Sequence, residues 1–407
     1  MRRLPLSLQI TLAMAVGLAV GPVLGARAEP LGELGKLVIQ LIKAVATPLL
    51  FFAIVDAILR TEVRGRQGAI MLAFAAGSSS VALAIGLVLA NVFHPGRLLD
   101  LNGLSRPAAG GLTDRKIDLV KTLSGYVPSN LLQPFIDNLV LSVVLLALLF
   151  GFAVRALRKR DGARTAALEE LVTTLHGVTE VVLGWIVRLV PLAVFGVVAK
   201  TVGEYGLAPL KGLGAYLAAG LGGMALQIVI VYQLLVGLVA RLPLRRFWRA
   251  AREPVAYAMG AGSSLATLPL TLNALDRLEV SRASSALGAC VGTNFNNDGI
   301  ILYEGMAVLF VAQAHGIELG LGQQLVAAGS CLVAAMGVAG VPEAGLVSLA
   351  LVLNTVGLPL ELLPLLLTVD WIMGRARAVT NALSDMVLSI MIDRFARDRQ
   401  NIVREGE

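Results

Sequence analysis

One long apolar stretch near the C-terminus, 361–394, carries ionisable and amide side chains in its middle. Five positions follow one another at steps of three or four residues: Asp370, Gly374, Arg377, Asn381 and Asp385. Because that spacing matches the turn of an α-helix, we expect them to share one helical face. Ionisable groups at bilayer depth cost roughly a few kcal/mol each, so they usually face a protein interior or a water-filled path. The stripe therefore predicts a polar site enclosed by protein.

A second polar run, GTNFNNDG at 292–299, interrupts the apolar stretch 284–312. Its amides, carboxylate and glycines would break a helix locally and free backbone carbonyl groups. Hard cations such as Na⁺ take oxygen ligands, and unwound backbone beside a carboxylate supplies them. The alternative is a seam of asparagines that packs helices together, but such a seam gains little from a costly aspartate. The run therefore predicts a cation site.

Two other apolar segments are interrupted by small residues and proline. Segment 254–273 contains Gly260, Gly262, Ser263, Ser264, Thr267 and Pro269, and segment 323–358 contains Gly337, Gly340, Pro342 and Gly345. Each pattern is typical of two short helices that meet at a tip part-way across a membrane, where broken backbone must be enclosed by protein or a cavity. A matched pair, each followed by a full span, indicates an inverted repeat with its binding site between the repeats.

The composition agrees with a membrane location. The 407 residues are 57% hydrophobic and 15% charged, with a mean hydropathy of +0.79. A soluble domain cannot bury this much apolar material, so we expect a polytopic membrane protein. The net charge of +7 does not indicate a nucleic-acid partner, because the basic residues cluster in short loops, where they set orientation.

Six simple spans precede the first interrupted segment. They are predicted at 6–26, 34–60, 68–93, 138–157, 174–203 and 210–240. The first resembles a secretory signal peptide, but it is long enough to span and many spans follow, so we expect it to be retained. Lys and Arg concentrate at 2–3, 60–66, 155–164 and 241–252. The positive-inside rule then puts both termini in the cytoplasm and the long loop 94–137 outside.

The motifs together resemble the glutamate-transporter family, the dicarboxylate/amino acid:cation symporters, over essentially the whole chain. The resemblance is carried by Ser263-Ser264 with Thr267-Leu268-Pro269, by Asn296-Asn297-Asp298-Gly299, by AGVPEAG at 339–345, and by the stripe at 370–385. It implies an all-α fold of eight transmembrane helices and two re-entrant helical hairpins, built from inverted repeats. It also implies a homotrimer in a bacterial-type inner (plasma) membrane, in which a transport domain moves as an elevator against a fixed scaffold.

The same resemblance divides the chain into regions. The scaffold would comprise 1–67 (helices 1 and 2) and 138–209 (helices 4 and 5), with 94–137 as an extracellular loop. The transport domain would comprise 68–93 (helix 3) and 210–407. The latter holds helix 6, hairpin 1 (about 247–280), helix 7 (284–312), hairpin 2 (about 322–358) and helix 8 (361–394).

Two cation sites follow from the resemblance, with Na⁺ as the coupling ion and no other cofactor. The first matches Asn296, Asn381, Asp385 and the backbone carbonyl of Gly292. The second matches Asp298 with Ser78 and Ser79 of the third span. The family usually adds a tyrosine near these serines, and this chain has Ala75 there.

Substrate contacts are implied on the last span and at both hairpin tips. Arg377 matches the residue that binds the substrate's side-chain carboxylate, which a guanidinium grips with two parallel hydrogen bonds. The alternative for Arg377 is an internal pair with Asp370 or Glu343. Asp370 matches a supporting acid near the first hairpin, or a buttress between helix and hairpin. Asn381 and backbone N–H groups of the tips would hold the second carboxylate, at positions Ser263, Ser264, Val341 and Gly345, and the second tip would act as the extracellular gate.

Several positions depart from the acidic amino acid carriers of the family. Those carriers have an aspartate at the position of Gly374, where it holds the substrate's ammonium group. Without it that group would be buried unpaired, at a cost on the order of 1–3 kcal/mol. Ala378 replaces a hydroxyl, as in bacterial C4-dicarboxylate carriers, and Ile300 replaces a threonine beside the side-chain carboxylate. Asn297 stands where a methionine links the cation and substrate sites. The residue that binds a carboxylate, Arg377, is thus kept, whereas the aspartate that would bind an ammonium group is replaced by Gly374.

The sequence therefore predicts a symporter that couples entry of Na⁺, with H⁺ as an alternative, to uptake of small organic anions, foremost C4-dicarboxylates such as succinate, fumarate and malate. A glutamate/aspartate:cation symporter is the first alternative, and an anion channel that filters at Arg377 is the second. We expect no enzymatic activity. His94 and His315 lie in loops and His176 at the start of the fifth span, so no Ser–His pair is expected at membrane depth.

Overall fold

The computed structural model describes residues 6–60, 65–99, 127–128, 130–137, 140–206, 209–336 and 344–405. Every regular element in these ranges is helical, as predicted. The first half contains α1 (Leu6–Leu24), α2 (Gly32–Arg60), α3 (Gly65–Phe93), α4 (Val140–Arg158), α5 (Gly162–Val187), α6 (Val190–Tyr205) and α7 (Pro209–Leu226). The second half contains α8 (Leu244–Ala261), α9 (Ser264–Arg277), α10 (Asp298–Ala314), α11 (Leu321–Met336), α12 (Ala344–Thr355) and α13 (Leu363–Glu405). Short helical turns lie at Gly25–Leu31, Pro95–Leu98, Gln133–Ile136 and Arg282–Ser285.

Several of these helices suit a membrane. Within the described ranges, four stretches are long and apolar enough to cross a bilayer by length and composition: Leu8–Arg60, Gln67–Phe93, Gly162–Val187 and Lys211–Val239. The first covers both α1 and α2, and Leu321–Ala335 is apolar but shorter. Large apolar side chains such as Val23, Val88 and Leu238 are exposed on these helices. A bilayer would cover such a surface, which agrees with a polytopic membrane protein.

The predicted fifth span, 174–203, is wrong in its bounds, because the structure has two helices there. α5 begins far earlier, at Gly162, where the Asp161 carboxylate caps it by accepting a hydrogen bond from the Arg164 backbone N–H (3.2 Å). α6 starts at Val190 and has a proline, Pro191, in its first turn. A proline is tolerated there because it lacks an N–H, but it disfavours continuation of the preceding helix.

The predicted position of His176 at the start of a span is therefore wrong too. His176 lies in the middle of α5, with Nδ1 3.4 Å from Asp56 Oδ2 of α2. The Thr173 hydroxyl donates to the same carboxylate at 2.6 Å, and Arg60 Nε lies 2.8 Å from it. Two hydrogen-bonding neighbours and a cation satisfy the buried Asp56. The histidine thus takes part in a polar contact that joins α5 to α2.

α8 and α9 occupy the region of the first predicted hairpin. They meet at Gly262, whose φ of +66° lies in the left-handed region that glycine adopts without steric cost. Ser263 follows and caps α9 by accepting a hydrogen bond from the Ala266 N–H (3.2 Å). α11 and α12 flank the predicted tip of the second hairpin, whose residues 337–343 lie outside the described residues.

The predicted seventh span is interrupted at its polar run, as expected. A π-helical turn, Ala286–Val291, passes into a 3₁₀ turn, Gly292–Asn294, before α10 starts at Asp298. The Phe295 N–H donates to the Gly292 carbonyl at 2.8 Å, which closes this tight turn. By contrast, α13 runs unbroken through the whole polar stripe and continues beyond its predicted end at residue 394.

α10 and α13 are the central helices of the packing. Nearly all of α10 is buried, and α13 packs against it and against α7, α8 and α9. α3 lies along α10 so closely that a Cβ atom at Gly86 would come 2.6 Å from the Leu302 carbonyl oxygen, so only glycine fits there. α1 packs along α6, and α2 packs against α4, α5 and α6. The polar run and the polar stripe therefore face each other inside the protein.

Candidate functional site

A buried ion pair on α13 forms the centre of the candidate anion site. Arg377 Nη1 donates to Asp370 Oδ1 (2.7 Å) and Nη2 donates to Oδ2 (2.9 Å). The two side chains are only 6% and 2% exposed. The guanidinium carbon also lies 4.2 Å from the centre of the Tyr303 ring. The structure thus contains the internal pair that the sequence leaves as the alternative for Arg377, and it places Asp370 on Arg377.

Three glycines lie against this ion pair, and two of them bring the backbone of other helices close to Arg377. A Cβ atom at Gly345 would lie 2.8 Å from Arg377 Nη1, and one at Gly299 would lie 2.9 Å from Arg377 Cα. The first turns of α12 and α10 therefore both press on Arg377. A Cβ atom at Gly374 would lie in ordinary van der Waals contact with the pair, 3.4 Å from Arg377 Nη2 and 4.0 Å from Asp370 Oδ2, and glycine places no side chain there. Three predicted substrate residues, Arg377, Gly374 and Gly345, are brought together here.

The carboxylate of Asp298 is enclosed by hydrogen-bond donors from three helices. The donors are Ser78 Oγ, Ser79 Oγ (2.8 Å), Gln227 Nε2 (3.0 Å), Tyr232 OH (2.8 Å) and Ser384 Oγ (3.0 Å). The two serines of α3 are those that the resemblance implies. Gln227, Tyr232 and Ser384 were missed, although a glutamine inside an apolar span is a costly group that signals a buried partner.

The residues of the other predicted cation site surround buried oxygen atoms. Asn296 Nδ2 donates to Ser384 Oγ (2.6 Å), and the Thr293 hydroxyl donates to Asp385 Oδ2 (3.0 Å). In the described part of the chain, Asn296 Oδ1 and Asp385 Oδ1 are buried without a hydrogen-bond partner, as is Gln227 Oε1. Buried acceptors normally find a donor, because leaving one unpaired costs about 1–3 kcal/mol. A hard cation would satisfy such oxygens, so the donor set fits Na⁺.

A small opening borders both sets of oxygen atoms. Ser78 and Ser384 border it from the Asp298 cluster, and Asn296 borders it from the other set. Apolar side chains, including Phe74 and Leu388, form the rest of its lining. It has room for about one water molecule or one small cation. The two predicted cation sites are therefore adjacent, with Asn296 and Ser384 between them.

Two asparagines tie the broken helix to its neighbours. Asn381 Oδ1 accepts a hydrogen bond from the Gly299 N–H (2.8 Å), and Asn381 Nδ2 donates to Asn297 Oδ1 (3.3 Å). Asn297 Nδ2 in turn donates to the Ala335 carbonyl at the end of α11 (3.0 Å). The side chain at the methionine position of the family thus joins α13 to the second hairpin. Both amides are buried.

The remaining predicted substrate residues take different places. Ile300 is buried in the main apolar cluster, and Ala378 packs into the cluster that α8 and α9 form with α13. Ser263 and Ser264 lie half-buried at the α8–α9 turn, where the Ser263 oxygen atoms bond within α9. Val341 lies outside the described residues. The structure thus gives Ile300 and Ala378 packing contacts and leaves their substrate role as a prediction.

One further acid was missed in the sequence. Glu304 on α10 is fully buried and accepts a hydrogen bond from Ser348 on α12. It follows Tyr303, whose ring covers Arg377. A buried glutamate in an apolar helix is a signal that could have been read from the sequence, because such a group needs a partner. Its contact joins α12 to α10 next to the candidate anion site.

The chain is similar to known proteins over nearly its whole length. The profile of the sodium:dicarboxylate symporter family matches residues 6–395. A C4-dicarboxylate transport protein of Deinococcus radiodurans is 34% identical over 405 residues, which cover 96% of this chain and 88% of the relative. One from Anaeromyxobacter sp. (strain K) is 34% identical, covering 97% of this chain and 91% of the relative. A C4-dicarboxylate transport protein 3 of Ralstonia nicotianae is 34% identical, covering 98% and 90%.

Proposed function

The chain belongs to the sodium:dicarboxylate symporter family, and from this premise we propose that it is a secondary active symporter of C4-dicarboxylates such as succinate, fumarate and malate. The observation that carries the substrate class is the missing side chain at Gly374, beside the Arg377 guanidinium. A buried guanidinium supplies a clamp for a carboxylate, and the absent side chain leaves an ammonium group without a partner. The names of the relatives agree with this class.

We propose Na⁺ as the coupling ion. The unpaired buried oxygens of Asn296, Asp385 and Gln227 support this assignment, because a hard cation prefers oxygen ligands. A dicarboxylate carries two negative charges, so its entry with cations lowers the charge that crosses the bilayer. The proposal includes the first site with Gly292 and Asn381, and the second at Asp298 with Ser78 and Ser79.

The proposed architecture has eight transmembrane helices and two re-entrant hairpins, assembled as a homotrimer in a bacterial-type inner membrane with both termini cytoplasmic. The scaffold would contain α1, α2, α4 and the pair α5 and α6, which together count as one span, and the transport domain would contain α3 and α7 to α13. The packing of α1 on α6, of α2 on α4, α5 and α6, and of α13 on α7 to α10 supports this division. The second hairpin would serve as the gate over the anion site.

The test is uptake of ¹⁴C-succinate into proteoliposomes that contain the purified protein. We expect uptake driven by an inward Na⁺ gradient and abolished when choline replaces Na⁺. Uptake that follows a pH gradient without Na⁺ would reassign the coupling ion to H⁺, and flux without any gradient dependence would contradict symport. Excess unlabelled malate should compete, whereas stronger competition by aspartate would favour the amino acid symporter. Single-channel currents would indicate an anion channel.

A further inference from the structure

Arg377 already holds a carboxylate that belongs to its own chain. Asp370 lies two helical turns earlier on α13, and its two oxygens meet the two terminal nitrogens of the guanidinium at 2.7 and 2.9 Å. This is the fork-to-fork geometry in which a guanidinium binds any carboxylate, including that of a substrate. The two guanidinium nitrogens that are proposed to bind the substrate carboxylate therefore already donate hydrogen bonds to Asp370.

Both members of the pair are buried, and Gly374 contributes no side chain to one side of it. The Tyr303 ring covers the guanidinium, and the backbone at Gly345 presses on Nη1 and the central carbon. Beside Nη2 and Asp370 Oδ2 stands Gly374, which has no side chain to close that side. An anion that approaches along Gly374 would meet the edge of the guanidinium that Asp370 now occupies.

From this geometry we propose that Asp370 is an internal stand-in for the substrate carboxylate, and that a dicarboxylate binds by replacing it on Arg377. The inference rests on the proposed function. Exchange of one carboxylate for another keeps the bidentate contact of the buried guanidinium filled, and loss of such a buried contact without a replacement is destabilising. The displaced Asp370 carboxylate loses its two hydrogen bonds to Arg377, and the free-energy cost of that loss weakens substrate binding. Asp370 therefore sets the affinity for the anion by competition.

The experiment measures succinate binding to the detergent-solubilised full-length protein by calorimetry at saturating Na⁺. The variant Asp370→Asn keeps the size of the side chain but removes the charge that competes for Arg377. We expect a Kd on the order of tenfold lower than in the wild type, because the succinate carboxylate no longer has to displace a charged competitor from Arg377. As a matched control, Asp393→Asn changes another buried aspartate of α13, whose Oδ1 accepts from the Ser281 N–H (3.0 Å), and should leave Kd unchanged.

A Kd for Asp370→Asn that equals or exceeds the wild-type value would overturn the inference, because Asp370 would then be a positioning residue that holds Arg377 in place. Absence of succinate binding in the wild type would instead contradict the proposed function. If Asp370→Asn does not fold, a second measurement on the wild type tests the same inference. Infrared difference spectra of the wild type with ¹³C-succinate should show a protein carboxylate band that shifts on binding, and an unshifted protein carboxylate region would also overturn the inference.

Discussion

The Arg377 guanidinium is permanently charged and almost fully buried, so it needs a negative partner at all times. Asp370 supplies that partner, and Tyr303 and Gly345 fix the plane of the guanidinium between them. Removal of either charge takes from the other a bidentate partner inside the protein. Substitutions at this pair therefore change stability as well as binding, and the two effects must be separated by design.

A double substitution separates them. We expect Arg377→Ala to abolish succinate uptake and to destabilise the protein by about 3–5 kcal/mol, because it leaves the Asp370 charge uncompensated. Adding Asp370→Asn should restore much of the thermal stability without restoring uptake. Melting temperatures of the purified variants and proteoliposome uptake give the two readouts. Recovery of uptake in the double variant would contradict the role of Arg377 as the anion clamp.

Gly374 offers a test of substrate class. We expect Gly374→Asp to make aspartate a better competitor of succinate uptake by on the order of tenfold, because the new carboxylate would pair with the ammonium group. A Cβ atom fits at 3.4 Å from its nearest neighbour, so the substitution needs little movement. Gly374→Asn is the control of equal size without the charge. Equal competition in both variants would refute the interpretation of Gly374.

At the scale of elements, two interruptions in the helices bring together the residues of the proposed cation sites. The break between Gly292 and Asp298 turns Asn296 and Asn297 toward α13. After α7, the π-helical turn Gln227–Tyr232 has a wider spacing than an α-helix, and both of its end residues donate to Asp298. Regular helices would carry these side chains to different faces.

Tyr232 gives a prediction about this region. The Tyr232 hydroxyl and a bound cation would both stabilise the Asp298 charge, so Tyr232→Phe should matter most when Na⁺ is absent. We expect a loss of about 1 kcal/mol of stability without Na⁺ and a larger rise in melting temperature on adding Na⁺. The control is Tyr216→Phe, whose hydroxyl contacts the Tyr303 carbonyl instead (3.4 Å). An unchanged Na⁺-induced shift in Tyr232→Phe would argue against a cation at Asp298.

At the scale of the whole molecule, the second hairpin bridges the two proposed domains. α12 packs against α2 and α4 on one side and against α10 and α13 on the other. Asn354 Nδ2 at its end donates to the Asp137 carbonyl just before α4 (3.3 Å). An elevator movement would break this contact in each transport cycle.

Cross-linking tests that movement. In a background with Cys290 and Cys331 replaced by serine, we expect a short bifunctional thiol reagent to arrest succinate uptake of the Asp137→Cys/Asn354→Cys variant. The control pair, Arg246→Cys/Glu279→Cys, joins exposed residues of one hairpin that form a salt bridge at 2.8 Å. It should cross-link without loss of uptake. Full transport by the cross-linked first pair would contradict relative movement of the two domains.

The sequence determined the class of this protein and most of its elements. Apolar runs of membrane length, glycine and proline at the hairpin tips, and a polar stripe at helical spacing are local patterns, and local patterns follow from helix geometry and the cost of burying polar groups. The stripe from Asp370 to Asp385 lies on one helix, and the helix breaks at 292–297, as the sequence predicts. The prediction of one span at 174–203 was wrong, because the structure has the two helices α5 and α6 there. A hydropathy pattern does not reveal the aspartate that caps α5 or the proline in the first turn of α6.

Only the tertiary structure decided which groups meet. The gathering of Gln227, Tyr232 and Ser384 around Asp298 and the contact of Glu304 with Ser348 depend on how separate helices pack. Arg377 and Asp370 share α13, but the sequence left open whether Arg377 pairs with Asp370 or with Glu343, and the structure shows the contact with Asp370. The sequence shows which residues carry a charge, but it does not show which partner each charge contacts, because several candidate partners are compatible with the same sequence pattern. Distance and burial select one of them, because a buried charge must be neutralised by the group that packing brings within reach.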